Sequence, residues 1–198
     1  SNKDAAIVST QRDLIAGEVS KDIARRKLIP TDILEAHDSG AIHFHDMDYI
    51  IQPMFNCCLI NLEDMLTNGT VINGKKIDTP KSFQVACTVT TQIIAQVASG
   101  QYGGQSINGI DRILAPFVRK SYEKILNNVI EEQVEIYGME PNMEKAREIA
   151  WKRTRKEVKD GIQTIQYQIN TLMTTNGQSP FVTLFMYFQP DYEYAKEA

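Results

Sequence analysis

The sequence predicts an α/β fold in which a few buried strands alternate with long helices. Two apolar runs, at residues 55–62 and 181–188, have the length of strands and lie next to proline residues. Other segments carry apolar residues at intervals of three and four, which is the spacing of amphipathic helices. This alternation of strand and helix patterns is typical of an α/β domain.

The first 78 residues contain two predicted helices, two predicted strands and a predicted hairpin. Residues 9–27 form a helix with Ser9 or Thr10 as N-cap, and its apolar face comprises Leu14, Ile15, Val19 and Ile23. A short helix then ends at Gly40. Residues 41–53 alternate like a strand, and residues 55–62 read as a buried strand. Two Asn-Gly pairs predict a hairpin within residues 67–78.

The next predicted helix begins at Thr79-Pro80, a cap followed by a proline at the first helical position. It has two contact faces. The core face comprises Phe83, Cys87, Ile94 and Val97, and the opposite face comprises Val85, Val89, Gln92 and Gln96. We therefore expect Cys87 to be a packing residue. Residues 99–111 are glycine-rich and predict a long loop.

Two long helices follow, at residues 110–137 and 141–175. The second has a seam typical of packing on another long helix, including one from a partner subunit, formed by Trp151, Val158, Ile162, Ile165, Ile169 and Leu172. The continuous apolar run at 181–188 predicts a strand buried on both faces.

Length, composition and charge exclude several classes of protein. The 198 residues are 42% hydrophobic and 23% charged, as in a globular protein with a buried core. A net charge of −4 offers no basic patch for a nucleic acid. No run approaches the roughly 18 apolar residues of a membrane span, and no signal peptide opens the chain. We expect a cytoplasmic protein without nucleic-acid or membrane partners.

Adjacent cysteines in the run FNCCLIN are the first candidate functional residues. Neighbours on a strand point to opposite faces and cannot easily form a disulfide, and the spacing for structural zinc is missing. Core packing and a reactive thiol both remain open. If Phe55, Cys57 and Leu59 share one face, Asn56 and Cys58 share the other, so one face presents the single thiol of Cys57.

Other polar clusters carry weaker signals. His43 and His45, beside Asp46, have a spacing that can ligate a metal, but no third ligand is evident, so a hydrogen-bond network is favoured and no metal site is predicted. The turns QYGGQ and TNGQSP could bind a sugar or a phosphate, although neither is a phosphate loop. From the residues alone, the chain is an enzyme fragment or a helical dimerisation module with inert cysteines.

Several long segments resemble one family. GAIHFHDMDY, FNCCLINLEDMLTNGT, TPKSF, QIIAQVASGQYGGQ, VRKSYEK and YQINTLMTTNGQSPFVT are similar to the anaerobic ribonucleoside-triphosphate reductases, the glycyl-radical class of ribonucleotide reductase. The resemblance runs from about Thr10 to Tyr187. It implies the N-terminal half of a ten-stranded α/β barrel, so that residues 1–198 are a partial catalytic domain with no complete second domain.

The same resemblance implies the chemistry. In the family, an activating enzyme with an iron–sulfur cluster and S-adenosylmethionine generates a radical on a C-terminal glycine. The radical passes to a finger-loop cysteine, which abstracts the ribose 3′ hydrogen of a ribonucleoside triphosphate. A cysteine on the first barrel strand, matching Cys57, assists reduction at the 2′ carbon, with formate as reductant. Asn56, His43 and His45 match its active-site neighbours, and zinc binds in the C-terminal part.

Allosteric control is also implied. In the family, deoxynucleoside triphosphates or ATP bind at the interface of a homodimer and select the substrate. The effector contacts match Asp78, Gln92 and Lys124. A further family contact that can be a carboxylate corresponds to Gln168, which is a departure from that pattern. Because the finger-loop cysteine and the radical glycine are not in these residues, we expect no turnover by this chain alone.

Overall fold

A computed structural model describes residues 4–136, 138, 140–174, 177 and 179–188. Within these residues a mixed α/β fold is formed by α1 (Val8–Ile23), α2 (Thr31–Asp38), β1 (Cys58–Leu59), α3 (Leu62–Thr67), β2 (Thr70–Ile72), β3 (Lys75–Ile77), α4 (Phe83–Ser99), β4 (Gln105–Asn108), α5 (Ile110–Glu131), α6 (Met143–Thr171) and β5 (Val182–Phe185). Helices α1 and α5 each continue into a π-helical turn, at Ala24–Leu28 and Glu132–Ile136.

A parallel sheet with the strand order β1-β4-β5 forms the centre of the fold. Strand β4 pairs with β1 through Cys58 and Gln105, and with β5 from Gln105–Val182 to Asn108–Phe185. Helix α4 leads from the β1 side of the sheet to β4, and α5 and α6 lead from β4 to β5. Crossovers of this kind are how parallel strands are connected, so the predicted α/β class is confirmed.

The three long helices pack on one another and supply most of the core. Helix α6 packs against both α4 and α5. The main core cluster includes Phe83, Cys87, Ile94, Phe117 and Ile165. Helix α6 approaches α4 closely at Gly161, where an added Cβ would lie 2.7 Å from the Phe83 ring and 3.0 Å from Cys87 Sγ. The prediction that Cys87 is a buried packing residue is therefore confirmed.

A carboxylate joins the same three helices. The Ser121 hydroxyl on α5 donates to Glu157 Oε1 on α6 at 2.9 Å, and accepts from the Phe83 backbone N–H at 2.8 Å. The Gln84 backbone N–H also donates to Glu157 Oε1, at 3.1 Å. Two of the four amides that a helix N-terminus leaves without internal partners are thus satisfied by neighbouring helices. A negative charge at the N-terminus of α4 also interacts favourably with the dipole of that helix.

The hairpin prediction is confirmed, and the predicted starts of two helices are wrong. Strands β2 and β3 pair antiparallel around Asn73-Gly74. Helix α4 begins at Phe83, capped by Ser82, because Thr79 instead donates its hydroxyl to the Thr67 carbonyl at 2.7 Å. Helix α1 begins at Val8, before both predicted caps.

Three predicted faces differ from the structure. The predicted apolar face of α1 is exposed, with Ile15 at 66% and Val19 at 54%, while Thr10 and Ser20 are buried. On α4, Val89 is buried, whereas Val85, Gln92 and Gln96 of the predicted second contact face are exposed. The seam of α6 packs on other long helices of the same chain, as predicted, through Val158, Ile165 and Ile169, and only Ile162 departs clearly from it by being exposed.

The segment 41–53, predicted as a strand, is a loop with one 3₁₀ turn at Met47–Tyr49. Within this segment Asp46 adopts a left-handed conformation (φ 54°) that a strand does not allow. The predicted glycine-rich loop at 99–111 contains β4, so that prediction is wrong over Gln105–Asn108.

Both apolar runs contain a strand, but neither strand is as buried as predicted. Strand β1 covers only Cys58 and Leu59, and Leu59 is exposed. Strand β5 covers Val182–Phe185, and Phe185 is 53% exposed. One face of the sheet therefore has no helix packed on it in the described part of the chain. Helix α6 ends at Thr171, and Leu172 is extended, so the predicted continuation of this helix over residues 172–174 is wrong. The predicted helix ends at Tyr137 and Thr175, and half of the TNGQSP turn, lie outside the described residues.

No helix of the described residues combines the length and the apolar character needed to cross a bilayer.

Candidate functional site

The Cys57 thiol lies on the uncovered face of the parallel sheet. Cys57 is exposed and comes directly before β1. Its thiol donates to Asn56 Oδ1 at 3.5 Å. Phe55 and Leu59 share its exposure, at 77% and 70%, whereas Ile60 is buried. The predicted alternation is confirmed from Cys57 to Ile60, but not for Asn56, which is exposed like Cys57 although it was placed on the face of Cys58.

Cys58 has a different environment. It is half-buried and packs against the main core cluster. Burial raises the pKa of the Cys58 thiol, and the neighbouring Cys57 raises that pKa further. Desolvation disfavours a thiolate, and the thiolate is the reactive form. Of the two adjacent thiols, Cys57 is thus the more exposed.

An open cavity of about 550 Å³ lies over this face of the sheet. Its lining consists of Cys57, Cys58, Leu59, Ser106, Asn108 and Phe185. The Asn108 amide donates to the Tyr187 hydroxyl at 2.7 Å, just beyond the end of β5. None of the described residues that line the cavity is Lys or Arg. The cavity therefore offers a thiol, neutral hydrogen-bonding groups and apolar surface.

Two glycines allow the chain to approach Cys57 closely. An added Cβ at Gly103 would overlap the backbone and side-chain oxygens of Asn56. An added Cβ at Gly104 would lie 2.8 Å from the Phe181 ring. The QYGGQ segment, predicted as a turn that could bind a sugar or a phosphate, is thus explained by close packing around the strand that carries the thiol.

The histidine segment forms a hydrogen-bond network around Asp46. His45 Nδ1 lies 2.8 Å from Asp46 Oδ1, and the Tyr102 hydroxyl donates to Asp46 Oδ2 at 2.5 Å. The rings of His43 and His45 meet edge to face, with centroids 5.7 Å apart. This network agrees with the interpretation favoured from the sequence. The described residues contain no group of three or more His, Cys, Asp or Glu placed to hold a metal.

Asp46 and Tyr102 shift each other's ionisation. The hydrogen bond from Tyr102 lowers the pKa of Asp46, burial opposes this effect, and His45 lowers the pKa further. The hydrogen bond to Asp46 raises the pKa of Tyr102 to about 12, and burial adds to the rise. The Tyr102 backbone N–H donates to the Phe55 carbonyl at 3.1 Å. This pair therefore connects the histidine segment to the chain that leads into Cys57.

No pattern in the sequence identifies Tyr102 as part of this network. The tyrosine stacks on Tyr49 with ring centroids 4.9 Å apart and an interplanar angle of 4°. The sequence around Tyr102 shows only an aromatic residue directly before two glycines. Such glycine pairs occur where two segments of backbone approach each other closely. The acidic partner of Tyr102, however, lies far away in the sequence, and no local pattern identifies such a pair.

The three predicted effector residues are all exposed, on separate elements. Asp78 follows β3, Gln92 lies on α4 and Lys124 lies on α5. Within the described residues no hydrogen bond or ion pair joins any two of them. One turn before Lys124 on the same helix, the Lys120 amine donates to the Pro80 carbonyl at 3.3 Å. This contact brings that part of α5 close to the segment that follows Asp78.

Gln168 lies between helices. Its side-chain oxygen accepts a hydrogen bond from the Thr91 hydroxyl, which connects α6 to α4 next to Gln92. One helical turn earlier, Thr164 Oγ1 accepts from the Gln84 amide at 3.1 Å. The neutral amide at position 168 thus has a packing role between α4 and α6.

Comparison with known proteins gives one consistent family. The family model described as anaerobic ribonucleoside-triphosphate reductase matches residues 1–198. Curated proteins of that name are similar to this chain. The protein from Salmonella typhimurium is 50% identical over 183 residues, which cover 92% of this chain and 24% of the relative. The protein from Escherichia coli is 49% identical over 183 residues, with the same two shares.

A viral relative of the same name, from Enterobacteria phage T4, is 44% identical over 184 residues, which cover 92% of this chain and 29% of the relative. The chain spans about a quarter of the length of the curated relatives that it matches. Among solved structures, the anaerobic ribonucleotide reductase from Thermotoga maritima in complex with dATP and CTP is similar with a TM-score of 0.57. It is 16% identical, covering 89% of this chain and 26% of that chain, so the likeness shows the fold alone.

Proposed function

The chain belongs to the anaerobic ribonucleoside-triphosphate reductase family, and from this membership we propose that it is the part of such an enzyme that carries the strand thiol and the effector-binding helices. The proposed reaction is the reduction of ribonucleoside triphosphates to deoxyribonucleoside triphosphates. The whole reaction requires further parts of the enzyme, because the chain spans about a quarter of its relatives.

The exposed thiol of Cys57 carries this proposal. It lies on an uncovered face of a parallel sheet, beside an open cavity of about 550 Å³. In the proposed mechanism the thiol assists reduction at the 2′ carbon of the ribose, inside a site that the remaining protein shields from water. Asn56 accepts the thiol hydrogen bond and orients it, and His43 and His45 belong to the neighbouring network.

The uncovered sheet face supports a barrel. We propose that residues 1–198 are a partial catalytic domain and that β1, β4 and β5 are strands of one half of a ten-stranded α/β barrel. Leu59 and Phe185 are more than half exposed on the uncovered face. Apolar side chains on an open face favour burial by further protein. On this proposal the uncovered face lines the lumen of the barrel.

The cofactors of the proposed reaction act through other parts of the enzyme. A glycyl radical, generated by an iron–sulfur and S-adenosylmethionine activating enzyme, supplies the radical chemistry when present, and formate supplies the reducing equivalents. Zinc fits none of the described residues, which contain no cluster of three ligands. The role proposed for this chain is to hold the Cys57 thiol and the substrate in place. The proposal places the enzyme in the cytoplasm.

The long helices are proposed to bind effectors at a homodimer interface. On the outer side of α6, Ile162 and Tyr167 are exposed and line an open groove with Gln163, Gln166 and Asn170. Apolar and amide side chains in one stripe suit a helix of a second subunit. Asp78, Gln92 and Lys124 are proposed to bind a deoxynucleoside triphosphate or ATP, and the Lys124 ammonium would contact phosphate oxygens.

Reduction by the full-length protein tests the proposed reaction. The protein that contains this chain would be activated anaerobically and supplied with a ribonucleoside triphosphate and formate. We expect deoxynucleotide formation that Cys57→Ala abolishes while the glycyl radical signal persists. Cys58→Ala is the matched control and should retain activity. Equal activity of the wild type and Cys57→Ala would contradict the role of the thiol.

Nucleotide-dependent unfolding tests the effector site in the chain itself. Thermal unfolding would be measured with each of the four deoxynucleoside triphosphates, for the wild type and Lys124→Ala. A ligand at about 100 times its dissociation constant adds roughly 2.7 kcal/mol to the free energy of unfolding. Lys27→Ala, another exposed lysine substitution, is the control. A shift that Lys124→Ala leaves unchanged would contradict the assignment of Lys124.

A further inference from the structure

The uncovered face of the sheet presents its side chains in rows set by the strand register. Cys58 is opposite Gln105, and Gln105 is opposite Val182, so Cys57, Gly104 and Phe181 occupy the first row. Leu59, Ser106 and Thr183 form the second row, and Asn108 and Phe185 form the third. Because alternate residues share a face, the groups nearest to Cys57 on this face come from these rows.

The first row leaves space beside the thiol. Gly104 has no side chain, and the Phe181 ring packs onto it from β5. The next polar groups are the Ser106 and Thr183 hydroxyls in the second row and the Asn108 amide in the third. Of these three residues, Ser106 and Asn108 line the same cavity as Cys57. A molecule placed over Gly104, in contact with the thiol, would therefore meet these two side chains.

The polar groups of this cavity suit hydroxyl groups better than phosphates. Ser106 and Asn108 are neutral and can both donate and accept hydrogen bonds. The hydrogen bond from Asn108 to Tyr187 fixes the amide and uses one of its two donor hydrogens. Arg112 lies over the Tyr187 ring but is paired with Glu63 at 3.3 Å. Phosphate recognition normally relies on unpaired cations or helix N-termini.

We infer that the Ser106 hydroxyl and the Asn108 amide bind the ribose hydroxyls of the substrate and hold the sugar against the Cys57 thiol. The inference rests on the proposed function, since it assumes a ribonucleoside triphosphate as substrate. It assigns two substrate-binding residues on β4, a strand that has little apolar pattern. The remaining lining, Leu59 and Phe185, supplies apolar contact for the sugar ring.

The test compares the effect of each substitution on two ligands of the full-length activated enzyme, one that has the ribose hydroxyls and one that lacks them. One arm measures kcat/KM for a ribonucleoside triphosphate. The other measures competitive inhibition by the 2′,3′-dideoxy analogue, which lacks both hydroxyls, with the effector held saturating. A neutral hydrogen bond lost in Ser106→Ala or Asn108→Ala should lower kcat/KM about five- to tenfold. The inhibition constant of the dideoxy analogue should change less than twofold.

Two further variants separate binding from folding. Ser106→Thr keeps a hydroxyl and should retain most of the kcat/KM, whereas Ser39→Ala, at the exposed end of α2, should have no effect. Equal weakening of both ligands, or of neither, would overturn the inference while the proposed function stands. A wild-type enzyme that reduces no ribonucleoside triphosphate would overturn both.

Discussion

At the scale of single residues, one step along a strand separates the two cysteines chemically. Cys57 is exposed over an open cavity, and Cys58 packs against the core with a raised pKa. The alternation of a strand was enough to predict these two sides from the sequence. The exposure of Cys57 could be found only from the structure, because a sequence does not show whether either face of a strand is covered.

The three thiols should react with iodoacetamide at different rates. We expect Cys57 to be labelled first and Cys58 more slowly, because burial raises the Cys58 pKa. Cys87 should be protected, since it is fully buried and burial raises its pKa to about 12. Peptide mass spectrometry after timed labelling at pH 8 would measure the order. Labelling in denaturant is the control, and faster native labelling of Cys87 than of Cys57 would contradict the structure.

The Tyr102–Asp46 hydrogen bond should make stability depend on pH at both extremes. The folded pKa of Tyr102 is raised, so its contribution is present below pH 10 and is lost as the pH rises through about 12. The folded pKa of Asp46 is lowered, so its contribution is present above the ordinary value of 3.8 and is lost as the pH falls below it.

Tyr102→Phe removes the bond and should lower the melting temperature by the largest amount between about pH 5 and pH 9. The difference from the wild type should shrink on both sides of that window. Tyr122→Phe serves as the control, because Tyr122 contacts Trp151 through its ring. A difference that is constant from pH 2 to pH 12 would argue against the pairing.

At the scale of elements, periodicity predicted the long helices, and local chemistry predicted the hairpin. Both signals lie within a few residues of one another in the sequence. Strand β4 was not predicted, because Ile107 is its only strongly apolar residue. Its polar residue Gln105 is nevertheless buried, and the side-chain amide of Gln105 donates a hydrogen bond to the Ile94 carbonyl. The exposure of the apolar face of α1 was not predicted either, because an amphipathic pattern does not show which face of a helix packs against other residues.

The contact of α4 with α6 should be sensitive to one methyl group. Gly161→Ala would place its Cβ 2.7 Å from the Phe83 ring, in a part of the core with no space. The overpacking cost, about 1–3 kcal/mol, should exceed the roughly 0.5–1 kcal/mol gained from replacing a helical glycine. Urea unfolding would measure a net loss of about 1 kcal/mol. Adding Phe83→Leu should reverse part of the loss, and simple additivity of the two changes would contradict the proposed clash.

The packing of the QYGGQ segment against the segment that carries Cys57 should be equally sensitive to an added methyl group. Gly103→Ala would force the Asn56 backbone away, because the added Cβ overlaps a carbonyl oxygen that cannot rotate aside. We expect a lower melting temperature together with an altered rate of Cys57 labelling. Gly100→Ala is the matched control, since its Cβ would lie 3.7 Å from the Val97 carbonyl. An unchanged Gly103→Ala protein would mean that the two segments are less closely packed.

At the scale of the whole molecule, the sheet formed by the described residues is open on one face and at two edges. The edges are β1 and β5, and the open face carries Leu59 and Phe185. Unpaired strand edges and exposed apolar side chains both favour association. The barrel expected from the family resemblance would cover these edges and this face. No pattern in this sequence shows which further part of a protein covers them.

The isolated chain should therefore self-associate beyond a dimer. Light scattering over a range of concentrations should show a mass that rises above that of a dimer. Phe185→Lys places a charge on the open face and should reduce the association. A monomer at every concentration would be incompatible with this prediction.

The strand order has a consequence for synthesis on the ribosome. Strand β4 emerges long before β5, because α5 and α6 are made between them. At 5–20 residues per second, the intervening chain takes roughly 4–15 s to translate. During that interval one side of β4 lacks its partner strand, while local helix formation is complete within microseconds. The nascent protein is thus a packed group of helices with an unfinished sheet, and this interval is when a chaperone would protect it best.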